Sequence, residues 1–236
     1  MSSRVVNVLD NGYVRLRDDD VFGSDLSVVN AARVSFDKES RELTERDKRL
    51  IQFLAREGHT SPFRHAAATF EIYAPLMVAR QWWKYIVGGD HRDPLLAWNE
   101  SSRRYITEKL VFYIPNVNEW RSAPKNKKQG SGEPVDLATG ERYLNELERY
   151  IQNGKQLYEQ AIEDGIAPEL ARLFLPAYGM YVRWRWTSSL QGITHFLNER
   201  LADDAQYEIR QYAKAVYKLI KPHFPESIKA LVKANV

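Results

Sequence analysis

The spacing of apolar positions changes period several times along the chain, and each change marks an element. Residues 5–9 and 13–17 are short runs rich in Val, Leu and Tyr on either side of Asp10-Asn11-Gly12. That arrangement predicts a hairpin, because Asn-Gly favours the positive backbone angles of a tight turn. Leu50, Ile51, Leu54 and Ala55 recur at helical spacing behind Thr44-Glu45-Arg46-Asp47, a capping-box pattern with Asp in the Glu position. A helix over 45–57 follows, with Gly58 as its stop. Pro62 makes 59–65 a turn, and Ala68, Phe70 and Ile72 then alternate with polar partners as in a half-buried strand. Pro75 suits the first turn of a helix over 75–86, ended by Gly88-Gly89.

Further on, 98–113 reads as mostly extended. Residues 121–140, rich in Lys, Gly, Pro and Ser, read as a mobile surface loop within one domain, since no independent core pattern precedes them. Leu144, Leu147, Ile151, Tyr158 and Ile162 predict a long helix over 141–164, interrupted at Gly154, and Pro168 starts a short one. Over 181–187 Val182, Trp184 and Trp186 alternate with Tyr181, Arg183 and Arg185, a strand pattern. Ser188-Ser189-Leu190-Gln191 has capping-box form for a helix to Arg200, and Asp203 or Asp204 can cap a last helix reaching Lys221.

Composition narrows the chemistry. The 236 residues are 44% hydrophobic and 28% charged with only 12 Gly and 10 Pro, values of a globular protein with a sizeable core. The longest apolar run, residues 72–79, is far shorter than the roughly 20 residues of a membrane helix. The start lacks the apolar stretch of a signal peptide, so a cytoplasmic location is the expectation. A net charge of +3 does not by itself imply nucleic acid. The absence of cysteine removes thiolate nucleophiles, thiolate zinc sites and iron–sulfur clusters together. Covalent chemistry must then come from another side chain or a bound cofactor. The five histidines form no His-x-x-x-His pair, which argues against a dedicated metal site.

Phosphate-binding fingerprints are absent: there is no Gly-x-x-x-x-Gly-Lys, and Gly130-Ser131-Gly132 follows no strand pattern. Polar sets on regular elements stand out instead. If 99–105 is extended, Glu100, Ser102 and Arg104 share one face, either as an exposed ion-paired strand face or as a grip on a phosphate and a polar heterocycle. The helix after Ser189 brings Gln191, His195 and Asn198 or Glu199 near one another and ends on Arg200, which is either a helix-dipole partner or a site cation. Arg172 between Leu170 and Leu173 reads as buried and in need of an anion. The Trp and Arg alternation over 181–187 suits core tryptophans with solvated arginines; the competing reading is a base-stacking surface.

Five motifs in order resemble the flavin-dependent thymidylate synthases. They are His59-Thr60-Ser61-Pro62-Phe63, Ala79-Arg80-Gln81-Trp82, Asn99-Glu100-Ser101-Ser102-Arg103-Arg104-Tyr105, Ala171-Arg172-Leu173-Phe174-Leu175-Pro176, and Phe196-Leu197-Asn198-Glu199-Arg200 leading into Ala205-Gln206-Tyr207-Glu208-Ile209. The resemblance implies methylation of dUMP to dTMP, with methylenetetrahydrofolate as carbon donor, FAD as redox carrier and NADPH as reductant. It implies a homotetramer with shared active sites. It also accounts for the missing cysteine, since carbon transfer in that family is assigned to the flavin and not to a protein thiolate. The matched positions make Gln81, Glu100, Ser102, Arg104 and Arg172 contacts to dUMP, and Arg200 the group that favours loss of the pyrimidine N3 proton. Ser61, Ser189, Gln191 and His195 fall at flavin-contacting positions.

The chain departs from the family at its signature, where Lys84-Tyr85-Ile86 replaces the usual Arg-His-Arg and Asp90-His91-Arg92 follows later. Either Lys84 and Tyr85, or the later Asp90-His91-Arg92 with His91 and Arg92 in particular, then supply the cofactor contacts. The expectation is a single α/β domain of the α+β type, an antiparallel sheet flanked by long helices. Two other functions fit the same residues: flavin-dependent hydroxymethylation of dUMP, and a non-catalytic nucleotide or single-strand binder.

Overall fold

A computed structural model describes residues 3–87, 96–101, 109–124 and 130–233. Five antiparallel strands form the sheet, β1 (Ser3–Val8), β2 (Gly12–Phe22), β3 (Ala67–Pro75), β4 (Leu96–Glu100) and β5 (Tyr181–Ser189), in the order β1-β2-β3-β5-β4. The helices are α1 (Asp25–Arg33), α2 (Glu45–Arg56), α3 (Leu76–Val87), α4 (Leu137–Glu163), α5 (Pro168–Ala171), α6 (Leu190–Arg200), α7 (Tyr207–Ile220) and α8 (Pro225–Leu231). The antiparallel sheet with long helices is as expected. Among the described residues no helix is long and apolar enough to cross a membrane.

The opening hairpin forms, but its glycine has a different task. Val8 pairs with Gly12, so the turn is Leu9-Asp10-Asn11, with Leu9 in the left-handed region at φ 57°. A Cβ on Gly12 would lie 1.8 Å from the Tyr212 hydroxyl and 2.8 Å from the Tyr73 carbonyl. The residue must be glycine so that α7 can close on the sheet, with Tyr212 Oη donating to Tyr73 O at 2.9 Å.

One face of the sheet is an aromatic core. Trp184 and Trp186 of β5 are buried, while Arg183 and Arg185 are exposed on the other face. Trp82 of α3 meets both rings edge-on, at 5.5 and 5.2 Å, and stacks on Phe196 of α6 at 4.2 Å. Phe70, opposite Trp186 in the register, stacks on it at 5.7 Å. A base-stacking surface needs accessible rings, so the strand serves the core. Tyr181 does not follow the arginines to solvent. It is buried against Tyr73, and its hydroxyl donates to Asp10 in the hairpin turn.

Helix ends account for most other differences. Thr44 and Asp47 form the capping box of α2 as expected. The Asp136 carboxylate accepts from Thr139 N at 2.9 Å, so α4 begins before 141. Gly154 does not interrupt α4; it lets the helix pass close to the 174–176 segment, where a Cβ would stand 2.7 Å from Phe174 O. Ser189 alone caps α6, accepting from Gly192 N, so the expected Ser188–Gln191 box is displaced by one residue. Asp203 and Asp204 do not cap α7, whose N-cap is Gln206. α8 was not anticipated: Asp25, far away in sequence, accepts from the backbone N–H groups of Glu226 and Ser227 at 2.8 and 3.0 Å. Of the stretch 98–113, only its start lies in a described strand, β4; residues 102–108 are outside the described set, and Phe112 bridges to Met180.

The buried aromatic layer predicts that Trp184→Ala lowers unfolding free energy by about 3–5 kcal/mol. Arg183→Ala should cost under about 1 kcal/mol, both read by chemical denaturation. A second expectation concerns pH. Burial alone raises the Asp47 carboxyl, but the Thr44 hydroxyl and N–H, with Arg33 and Ser40, hold it below its ordinary 3.8. A lowered folded value means the stabilisation is present above pH 3.8 and is lost as pH falls through the folded pKa. The stability gap between the parent and Asp47→Asn should therefore be flat near neutrality and close in strong acid.

Candidate active site

The aromatic layer sets where the polar candidates stand. β3 passes directly into α3, and β5 directly into α6, without a loop between them. Trp82 locks α3 to α6, so its neighbours Arg80, Gln81 and Lys84 are held in fixed relation to the helix that ends at Arg200. Gln81 is half-buried and donates from Nε2 to the Gln206 carbonyl oxygen at the start of α7. Gln206 in turn donates to Glu208 Oε2 at 2.8 Å. Glu208 is 3% exposed and carries an ion pair to Arg121, whose guanidinium lies 4.6 Å over the Tyr207 ring. The bridge between Arg121 and Pro134 pins the described ends of the 121–134 excursion to α7 through this pair.

A second group lies where the 3₁₀ turn Ser61–His65 meets the start of α6. Arg64 donates from Nε to Gln191 Oε1 at 2.9 Å and from Nη2 to Thr60 Oγ1 at 3.2 Å. Ser61 is exposed beside them, and His195 is half-buried one turn along α6 from Gln191. Ser189 is fully buried, its hydroxyl capping α6. It holds the helix end that presents Gln191 and His195. Asn198 is structural too: it donates to Leu231 O and accepts from Lys233 N, tying α6 to the end of α8.

The third group is a cavity of about 410 Å³ between α3 and β4, lined by Leu76, Ala79, Arg80, Trp83, Trp98 and Glu100. Trp83 and Trp98 meet edge to face at 5.2 Å, giving the cavity an aromatic wall with a cation and a carboxylate at its rim. Lys84 is exposed on the same helix. Ser102, Arg104, His91 and Arg92 lie outside the described residues.

Arg172 corrects the sequence reading, because it is exposed. It sits in a short 3₁₀ turn with Nε donating to Glu169 O at 3.2 Å, and its flanking Leu170 and Leu173 are themselves 56% and 78% exposed. Apolar neighbours did not mean burial within one chain. Arg200 is half-buried in the last turn of α6, where a cation also suits the helix C-terminus.

The displaced tyrosines all move upward. Burial, with the hydrogen bond to Glu71, pushes the Tyr13 phenol to about 12, and burial likewise raises Tyr113, Tyr181 and Tyr212. Tyr13, Tyr181 and Tyr212 remain neutral donors, to Glu71, Asp10 and Tyr73 O respectively. These phenols do not supply an anionic nucleophile in place of the missing thiolate.

Sequence reasoning missed Arg64, Arg121, Gln206 and Glu208 as members of these groups. Gln206 and Glu208 lay within a quoted motif, and Arg64 directly follows another. Arg121 carried no local signal, because its partner is 87 residues away.

The sequence matches the family described as "Thymidylate synthase complementing protein" over residues 19–226. Similar curated proteins include the flavin-dependent thymidylate synthase of Thermotoga neapolitana, 37% identical over 97% of this chain and 94% of that protein. That of Thermus thermophilus is 38% identical over 93% of this chain and 75% of its own length. A solved structure described as a UMP/dUMP methylase, PolB from Streptomyces cacaoi bound with 5-Br dUMP, superposes with TM-score 0.79 and 27% identity, covering 95% of this chain and 96% of that one. With the family match covering residues 19–226 and the two relatives 37% and 38% identical over nearly the whole chain, the chain belongs to the thymidylate synthase complementing protein family, that of the flavin-dependent thymidylate synthases.

Proposed function

We propose that this chain methylates dUMP to dTMP, taking the carbon from methylenetetrahydrofolate and the two reducing electrons from NADPH by way of FAD. The observation that carries the reading is the placement of the matched motifs. A cysteine-free chain holds Gln81, Arg80 and Arg200 on two helices locked together by Trp82 and Phe196. The reaction balances when the methylene group leaves N5 and N10 of the folate, each nitrogen taking up a proton, and forms its bond to C5 of the pyrimidine, while C5 gives up its proton and a hydride reduces the methylene to methyl, with one net proton taken from water. Tetrahydrofolate and NADP⁺ leave.

The protein's own task is to make C5 electron-rich without a nucleophile. A guanidinium beside N3 and its neighbouring carbonyls stabilises the deprotonated ring, and that charge is shared with C5. Arg200 is the residue we assign to this, with its planar fork of donors. Gln81, Glu100, Ser102, Arg104 and Arg172 hold the nucleotide. The hydroxyls of Thr60 and Ser61, the Arg64 guanidinium, the Gln191 amide and the His195 imidazole form a donor set that fits a flavin's phosphates and polar ring edge. FAD bound there supplies the hydride transfer that no side chain of the protein can perform. Ser189 contributes through the cap, and Lys84, His91 and Arg92 complete the cofactor contacts.

We further propose a homotetramer whose sites are shared between copies, in the cytoplasm. Phe22, Val34, Phe36, Leu173 and Tyr178 are each at least 70% exposed, an unusual amount of large apolar surface for an isolated chain. Arg172 lies within one such patch, so a second copy that covers Leu173 also brings this guanidinium into a site.

Two variants test the assignment. Arg200→Lys keeps the charge and loses the fork, so it should retain bound FAD and flavin reduction by NADPH while turning over dUMP at least about 10²-fold more slowly. Turnover within about threefold of the parent removes Arg200 from the chemistry. Arg64→Ala should lose flavin absorbance on gel filtration while remaining folded, with a native circular dichroism spectrum and a single cooperative melt. Full flavin retention would move the cofactor away from the Ser61–His65 turn.

A further inference from the structure

We infer that Glu208 is a positioning residue that sets which way the Gln81 amide faces, and so what that amide offers to the nucleotide. This rests on the reading above that Gln81 contacts dUMP. Glutamine has a donor end and an acceptor end of nearly identical shape, and an isolated one presents either. Here the choice is made two hydrogen bonds away. The Glu208 carboxylate, held in the buried state by Arg121, is an acceptor only. Gln206 must therefore turn its amide nitrogen toward Glu208, as its Nε2 does at 2.8 Å. That leaves the Gln206 carbonyl oxygen facing Gln81, which must answer with its own Nε2.

The chain of polarity ends with the Gln81 carbonyl oxygen and one remaining N–H for the ligand. The oriented N–H is a fixed donor for a carbonyl or phosphate oxygen of the nucleotide, and the oriented carbonyl a fixed acceptor for a sugar hydroxyl, contacts that do not depend on whether N3 keeps its proton. Replacing Glu208 by Gln keeps the volume and puts a donor into the chain. The amides can then reverse, and Gln81 no longer has one imposed orientation. Arg121 fixes the buried carboxylate in place by its ion pair, so that the acceptor at the head of the chain cannot turn away from Gln206. The Arg121–Pro134 excursion is thereby tied to nucleotide binding although none of it is assigned a contact to dUMP.

The test is a double-mutant cycle on the purified holoenzyme, measuring dUMP affinity by calorimetry and steady-state constants in parallel. Gln81→Ala should weaken dUMP binding about tenfold, as expected for a lost polar contact. Glu208→Gln and, separately, Gln206→Ala should raise KM for dUMP by a similar factor with kcat within about twofold. In the Gln81→Ala background neither should have more than about a twofold further effect. Gln206→Ala leaves the Glu208–Arg121 pair intact, so it carries the test should Glu208→Gln fail to fold. Losses that add fully to that of Gln81→Ala, or parent affinity in Gln206→Ala, overturn the inference while leaving Gln81 as a ligand. Parent affinity in Gln81→Ala itself overturns both, and identifies the assignment of Gln81 as the step that failed.

Discussion

The structure depends on one contact, the insertion of Trp82 between β5 and α6. Its ring meets Trp184 and Trp186 edge-on and Phe196 face-on, and all four side chains are at most 2% exposed. Each such aromatic pair contributes about 0.5–1.5 kcal/mol beyond burial of its area. The geometric consequence outweighs the energetic one. β3 continues into α3 and β5 into α6, so fixing Trp82 fixes two strand–helix corners against each other. Every polar candidate on α3 and α6 inherits its position from that lock.

Around the lock the polar groups divide according to what holds them. Hydroxyls and a guanidinium gather at the Ser61–His65 turn, a carboxylate-led chain runs through the start of α7, and an aromatic cavity opens between α3 and β4. None of these groups by itself is a reaction centre. They offer hydrogen-bond donors, an amide and an aromatic wall, which the proposed reading assigns to holding a nucleotide and a flavin while the cofactor carries the electrons. The upward-shifted tyrosines fit the same division, since neutral phenols brace the hairpin and α7 without entering the chemistry.

Most elements were legible because their signals are local. The Thr44 box, the Trp and Arg alternation and the helix that begins after Pro75, itself the end of β3, each depend on residues within a few positions of one another. What the sequence hid was long-range. Gly12 reads as a turn glycine until Tyr212 arrives 200 residues later, and Gly154 reads as a break until Phe174 packs on it. α8 is capped by Asp25 from the other end of the chain. The polar groups show the same pattern: Gln81 and Arg200 are proposed from motifs, whereas the pairing of Arg121 with Glu208 is a tertiary event with no spacing to announce it. Arg172 misled because the leucines beside it, Leu170 and Leu173, are themselves exposed.

The central claim is that a chain without a thiolate places a methyl group on dUMP. The most direct measurement is mass analysis of the nucleotide after the purified flavin-loaded protein is incubated with dUMP, methylenetetrahydrofolate and NADPH. The account predicts dTMP, formed only when all three are present and in proportion to NADPH consumed. Recovery of hydroxymethylated dUMP would contradict the hydride step. Recovery of unchanged dUMP from protein that binds it would contradict the enzyme altogether.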